Sequence, residues 1–200
     1  DGKEKLLVFR LRPDGSLDPD FGLSGLVVIS DGSTSREVAR SVIVDPDGRI
    51  VVAGQRGDSL LVARLLANGT LDAGFGSGGI YQSPEAIGYN ARVARAAADG
   101  YRVIAQVPAG GMGWDCSVVG LTGAGVPDAA FGNAGIVKQL SPGSGSLRCT
   151  SLAVQPDGRI LLGGAEDDTD GYVGRLLANG AIDPSFNAGV VPGRFKSVSA

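Results

Sequence analysis

Residues 64–76 read Arg64-Leu65-Leu66-Ala67-Asn68-Gly69-Thr70-Leu71-Asp72-Ala73-Gly74-Phe75-Gly76, and the same frame recurs three more times in the chain. Its phenylalanines, Phe21, Phe75, Phe131 and Phe186, lie 54, 56 and 55 residues apart. An aspartate stands three residues before each of them (Asp18, Asp72, Asp128, Asp183), and a glycine three residues before each aspartate (Gly15, Gly69, Gly125, Gly180). Apolar runs lead into those glycines: Leu6–Leu11, Leu60–Leu66, Val118–Leu121 and Tyr172–Leu177. A second landmark falls between the units, at Asp47-Gly48-Arg49, Asp99-Gly100-Tyr101 and Asp157-Gly158-Arg159, and opens a further apolar run each time. Self-similarity at a fixed period of this length marks a repeat architecture.

The unit reads as four strands. Strand one, Ser41–Asp45, ends in Asp45-Pro46-Asp47-Gly48, where proline presets φ and glycine supplies the positive φ of a hairpin turn. Strand two, Arg49–Gly54, is apolar through its middle, as a strand buried on both faces is. Strand three is Leu60–Leu66, and strand four, Gly79–Gln82, follows the Asn68-Gly69 and Phe75-Gly76 corners. The expected fold is therefore all-β: a β-propeller of four-stranded antiparallel blades, with about four repeats of roughly 55 residues. Residues 1–200 form one domain, with copies near 5–40, 41–92, 93–150 and 151–200 and incomplete terminal copies. Ala91–Ala98 has helix-forming composition, but the register of the repeat makes it a connector and a strand one.

The pattern Arg64-Leu65, Asn68-Gly69, Leu71-Asp72, Phe75-Gly76, together with Pro46-Asp47-Gly48-Arg49-Ile50-Val51-Val52-Ala53-Gly54, resembles the delta-60 repeat, a bacterial propeller-like family. The second unit departs most, with Ala98 aligned to proline and Tyr101 to arginine. The resemblance implies the fold and a surface or secreted setting, and brings no catalytic residues with it.

Composition narrows the chemistry. Thirty-three glycines in a chain that is 43% hydrophobic suit short strands and tight turns rather than disorder. The net charge is −3 with basic residues scattered singly, which lacks a nucleic-acid footprint, and no apolar run is long enough to span a membrane. The absence of histidine excludes Ser-His-Asp and Cys-His catalysis and imidazole metal sites. No cofactor is expected. Asp14, Ser16 and Asp20 hint at calcium without completing a binding loop. Cys116 and Cys149 permit one disulfide, closing a 33-residue loop, or two buried thiols. The chain starts at Asp1 without a leader, which reads as a removed signal or an excised segment, and the acidic pI with Gly/Ser loops points to export.

The recurring aspartates are expected to cap each corner by accepting backbone N–H bonds, and the phenylalanines to fill the gaps between blades. Hairpin geometry places these uniform turns on one rim and the variable loops on the other, where binding residues are sought. That varied rim carries Arg56 and Asp58 (with Gly57, an Arg-Gly-Asp triplet), Trp114 and Asp115, and the acidic loop Glu166, Asp167, Asp168 and Asp170. A tryptophan beside a carboxylate suits a sugar ring. The first functional expectation is thus a non-enzymatic extracellular propeller binding a glycan or a protein partner through this rim. A carboxylate-dependent glycan hydrolase or lyase needs two acidic residues across a cleft, one with a raised pKa. A structural assembly module is the third expectation, and an exposed apolar terminal edge is its sign. A four-bladed monomer, closed by pairing Lys196-Ser197-Val198 with the N-terminal strands, is set against a larger propeller or assembly with another chain.

Overall fold

A computed structural model describes residues 4–30, 35–85, 87–97, 99–109, 113–138, 140, 146–166, 170–186 and 194–196. The described residues form strands and turns and no helix, so none of their elements is a helix able to cross a membrane. A two-stranded half sheet comes first, β1 (Leu6–Phe9) with β2 (Leu26–Ile29). The first full sheet is β3 (Glu37–Val44), β4 (Ile50–Arg56), β5 (Ser59–Leu65) and β6 (Ile80–Gln82). The second is β7 (Tyr89–Arg95), β8 (Tyr101–Pro108), β9 (Trp114–Leu121) and β10 (Ile136–Val137). The third is β11 (Leu147–Val154), β12 (Ile160–Glu166), β13 (Asp170–Leu176) and β14 (Arg194–Lys196). Every pairing is antiparallel and in chain order, the meander expected of a blade. The first strands β3, β7 and β11 lie beside one another, so the sheets stack around a common inner side.

One expectation about the C-terminus changes. The fourth strand of the third full sheet is Arg194–Lys196, paired through Tyr172↔Lys196 and Gly174↔Arg194. Lys196, expected to open the closing strand, therefore belongs to this blade, and Ser197 and Val198 lie outside the described residues. Of the helix-prone stretch, residues 91–95 belong to strand β7, because the alternate residues Ala91 and Val93 are buried against the first full sheet.

The core consists of the joints between sheets. Leu6, Phe21 and Ile29 of the half sheet pack on Ile50, Val52, Leu61, Ala63 and Leu65. Val51, Val62 and Phe75 pack on Tyr101, Val103, Val119 and Leu121, and Ile104, Val118 and Phe131 on Leu147, Ile160 and Leu162. The first and second full sheets thus bury both faces, one against each neighbour. A disulfide joins Cys116 on β9 to Cys149 on β11, with Cα atoms 5.9 Å apart, and ties the second full sheet to the third.

Ladder pairing corrects one alignment. Ile50 pairs with Leu65, Tyr101 with Leu121 and Ile160 with Leu176, so Tyr101 is level with the isoleucines and not with Arg49 and Arg159. In the second full sheet the Asp-Gly pair lies one residue later in its turn, and Gly100 holds the place of Arg49.

Candidate functional site

The uniform rim is built from one corner used four times. Asp72 Oδ1 accepts the N–H of Gly74, and the same bond runs to Asp18 from Asp20, to Asp128 from Ala130 and to Asp183 from Ser185. The other carboxylate oxygen takes an arginine: Arg10 on Asp18 (2.7 Å), Arg64 on Asp72 (2.8 Å), Arg102 on Asp128 (3.0 Å) and Arg175 on Asp183 (2.7 Å). That guanidinium also lies over the ring of Phe21, Phe75, Phe131 or Phe186, at 4.5–4.9 Å from the centroid. Sequence reading found the aspartate cap and the phenylalanine but missed the arginine that joins them. A backbone N–H from Asp20 and the Arg10 guanidinium hold Asp18 below the usual carboxylate range. The Ser185 hydroxyl and N–H, with Arg175, lower Asp183 to about 2. Burial pushes Asp72 upward, but the Gly74 N–H and Arg64 outweigh it and its pKa is lowered. These are structural carboxylates, shifted in the direction opposite to that of a proton-donating acid.

Each corner also carries the joint. The Cβ position of Gly69 lies 3.0 Å from the ring of Phe21, that of Gly125 2.6 Å from Phe75, and that of Gly180 3.0 Å from Phe131. The N–H after each of the first three phenylalanines crosses to the next corner: Gly22 to Asn68 O, Gly76 to Ala124 O and Gly132 to Asn179 O, each 2.8 Å. Near the second joint, the Tyr101 hydroxyl donates to the buried Asp45, which also takes Arg95 at 3.0 Å. Burial first, and then Asp45, raise the pKa of Tyr101. Asp14, part of the calcium hint, accepts the N–H and hydroxyl of Ser16, so this oxygen serves the turn.

On the varied rim the candidates separate. Arg56 is buried, with Nε 2.6 Å from the buried Glu37 and a further bond to Gln82 Oε1, so the Arg-Gly-Asp triplet does not display its arginine. Asp115 is buried too and accepts the N–H of Cys116 at 2.6 Å. It points away from Trp114, as successive strand residues must. Glu166 pairs in the ladder with Asp170 at the β12–β13 hairpin, while Asp167 and Asp168 lie outside the described residues.

Trp114 instead meets Tyr89, which sequence reading did not single out. The two rings pack edge to face, with centroids 5.1 Å apart, and both are partly exposed. The Tyr89 hydroxyl donates to Asp58 Oδ1 at 2.6 Å, and this bond is the first cause of the raised tyrosine pKa. A local irregularity sets up the cluster. The β7–β8 register shifts between Tyr89 and Arg92, and Asn90 sits at φ +50° with its amide on Gln106. Trp114 is held by its own N–H on Ser146 Oγ at 2.9 Å. An exposed carboxylate from the first full sheet and two aromatic rings from the second thus make one surface across a joint. No sequence signal joins residues 58, 89 and 114, because the stacking of sheets brings them together.

Comparison with known families agrees with this architecture. A family model described as a domain of unknown function (DUF5122) β-propeller matches residues 1–21, 46–75 and 155–186. Two of these segments run from the Pro-Asp-Gly turn to the corner, and all three end at or on a corner phenylalanine. The fold is a β-propeller. No curated protein and no solved structure matches the chain. The repeat of this propeller that the family model passes over, around Phe131, is the one whose arginine has moved. Arg102 lies on strand two and pairs directly with Gly120, the strand-three position held by Arg64 and Arg175 in the neighbouring repeats. The guanidinium still reaches Asp128 and Phe131, while an added Cβ at Gly120 would come within 2.8 Å of the Phe131 ring.

Proposed function

We propose that this propeller is a non-enzymatic extracellular binding module that holds a glycan or a protein partner on its varied rim, with a glycan the better chemical match. The observation that supports this reading is the Asp58–Tyr89–Trp114 surface, where aromatic faces for the apolar side of a sugar ring adjoin an acceptor for its hydroxyls. The disulfide fits an oxidising compartment, and the delta-60 resemblance fits a secreted bacterial protein. The same reading takes residues 1–200 as one propeller domain, with the rim candidates Arg56 and Asp115 as supports beneath the surface. The hydrolase or lyase reading gains nothing from the corner carboxylates, whose pKa values fall.

Trp114 is the only tryptophan in the chain, so its fluorescence reports this surface without labelling. The test is a glycan array, run with calcium and again with chelator, followed by fluorescence titration of each hit. The expected result is saturable binding that Trp114→Ala weakens by about tenfold or more, the equivalent of one lost aromatic contact. A blank array with folded protein, or binding indifferent to Trp114→Ala, sinks the reading.

A further inference from the structure

The joints inside the chain show what a joint is made of. Leu61, Ala63 and Leu65 are fully buried because the half sheet covers them, and Val51, Val62 and Phe75 because the second full sheet does. Both ends of the arc carry the same faces uncovered. On the leading side, Leu7, Phe9 and Leu11 stand where Leu61, Ala63 and Leu65 stand in the next repeat, yet they are 45%, 57% and 50% exposed. Gly15, the leading counterpart of Gly69, Gly125 and Gly180, has the same positive φ but nothing within 4 Å of its Cβ position. On the trailing side, Leu161 and Val173 hold the places of Val51 and Val62. Leu161 is half-buried, Val173 is 37% exposed, and a shallow cavity of about 220 Å³ lies beside them. Phe186 is only half-buried, whereas Phe21, Phe75 and Phe131 are fully buried.

These two faces fit each other and not themselves. The trailing face offers a phenylalanine without a glycine seat, and the leading face offers the seat without a ring. Polar groups match as well. Arg10 and Arg64 reach across their joints to Ala67 O and Gly123 O. Arg175 occupies the same place on the trailing side, and Pro13 O is the corresponding carbonyl on the leading side. We propose that the trailing face of this chain binds the leading face of a second copy, head to tail, with Phe186 seated on Gly15 and Leu161 and Val173 against Leu7, Phe9 and Leu11. A contact between unlike faces closes into a ring or continues as a filament, according to the rotation per copy. This inference does not depend on the glycan reading.

The test uses the whole chain in sedimentation equilibrium and light scattering across a concentration series. Wild type is expected to self-associate. Phe9→Asp and Val173→Asp put a charge on one face each, at positions exposed in the single copy, and each variant alone is expected to be a folded monomer with a near wild-type melting temperature. Mixed in equal amounts, they are expected to form a 1:1 dimer and nothing larger, because each supplies the face the other has lost. Leu11→Lys mixed with Phe186→Ala repeats the experiment at the same two faces should either strand substitution fail to fold. A wild type that stays monomeric to about 1 mM overturns the proposal. So does association that survives when either face is charged, which would mean a contact between like faces.

Discussion

Gly15 and Gly125 allow the joint to be measured against an internal control. Both are corner glycines in the left-handed region, at φ +84° and +72°, so alanine at either site carries a similar backbone cost, about 1–2 kcal/mol. Their surroundings differ. An alanine methyl at Gly15 enters open space, while at Gly125 it lies 2.6 Å from Phe75 Cδ2 and 2.7 Å from Gly76 N. Phe75 has no room to withdraw: it is fully buried, Arg64 lies 4.8 Å over its ring centroid, and Tyr101 packs edge to face with it at 5.9 Å between centroids. Moving Gly76 weakens its 2.8 Å bond to Ala124 O. Overpacking of this kind adds about 1–3 kcal/mol. Gly125→Ala is therefore expected to be the more damaging by that amount, and each kcal/mol corresponds to about 2–4 °C of melting temperature in a chain of this size. Calorimetry and urea unfolding at low micromolar concentration read the difference directly. Equal losses at the two glycines would refute the reasoning, because they would mean that the phenylalanine does not seat on the next corner.

Further outcomes follow from the same corner and from the disulfide. Arg102→Val removes a guanidinium from Asp128 and from the face of Phe131 together, and is expected to cost about 1–3 kcal/mol in urea unfolding; a loss under about 0.5 kcal/mol would make this contact ornamental. Reducing Cys116–Cys149 frees a 33-residue loop and is expected to lower stability by about 3–4 kcal/mol, seen as a lower melting temperature in reductant, whereas an unchanged melt counts against a stabilising role. Asp183 falls from 3.8 to about 2 on folding, so its contribution is complete above pH 4 and disappears as the pH falls towards 2. Asp18 and Asp72 shift in the same direction. Melting temperature should drop across this acidic window and drop less in Asp183→Asn; a rise on acidification there contradicts the corner described above.

What the sequence made legible is what the chain repeats in place. The strands, the Pro-Asp-Gly turns, the aspartate caps and the phenylalanines recur at fixed offsets, and each does its work within a few residues of its own position. The corner arginine is also regular in three units, but its partners, eight residues ahead at the aspartate and eleven at the phenylalanine, become visible only when the chain turns back on itself. The rim surface is harder still. Asp58, Tyr89 and Trp114 come from different hairpins and from two sheets, and no periodic signal marks them. Asp115 looked like the carboxylate beside the tryptophan because it is its neighbour in sequence, yet neighbours on a strand face opposite ways.

The repeat around Phe131 shows that two apparent lapses are one compensated change. Its Asp99-Gly100 pair lies one residue late in the turn, and its arginine lies on strand two. Taken alone, the move to strand two would fail. Had Asp99-Gly100 matched Asp47-Gly48, Arg102 would stand level with Ile50, on the face packed against the preceding sheet and away from Phe131. A one-residue slip in a strand transfers every side chain to the other face. The slip brings Arg102 level with Val51 and Leu161, opposite Gly120 and on the face that receives Phe131, at 4.5 Å from the ring. Gly120 then leaves room for the ring that a strand-three side chain would displace. The joint requires one cation between the corner aspartate and the phenylalanine, and either of two paired strands can supply it. All four corners make the same contact, three with the arginine on strand three and the one at Phe131 with it on strand two.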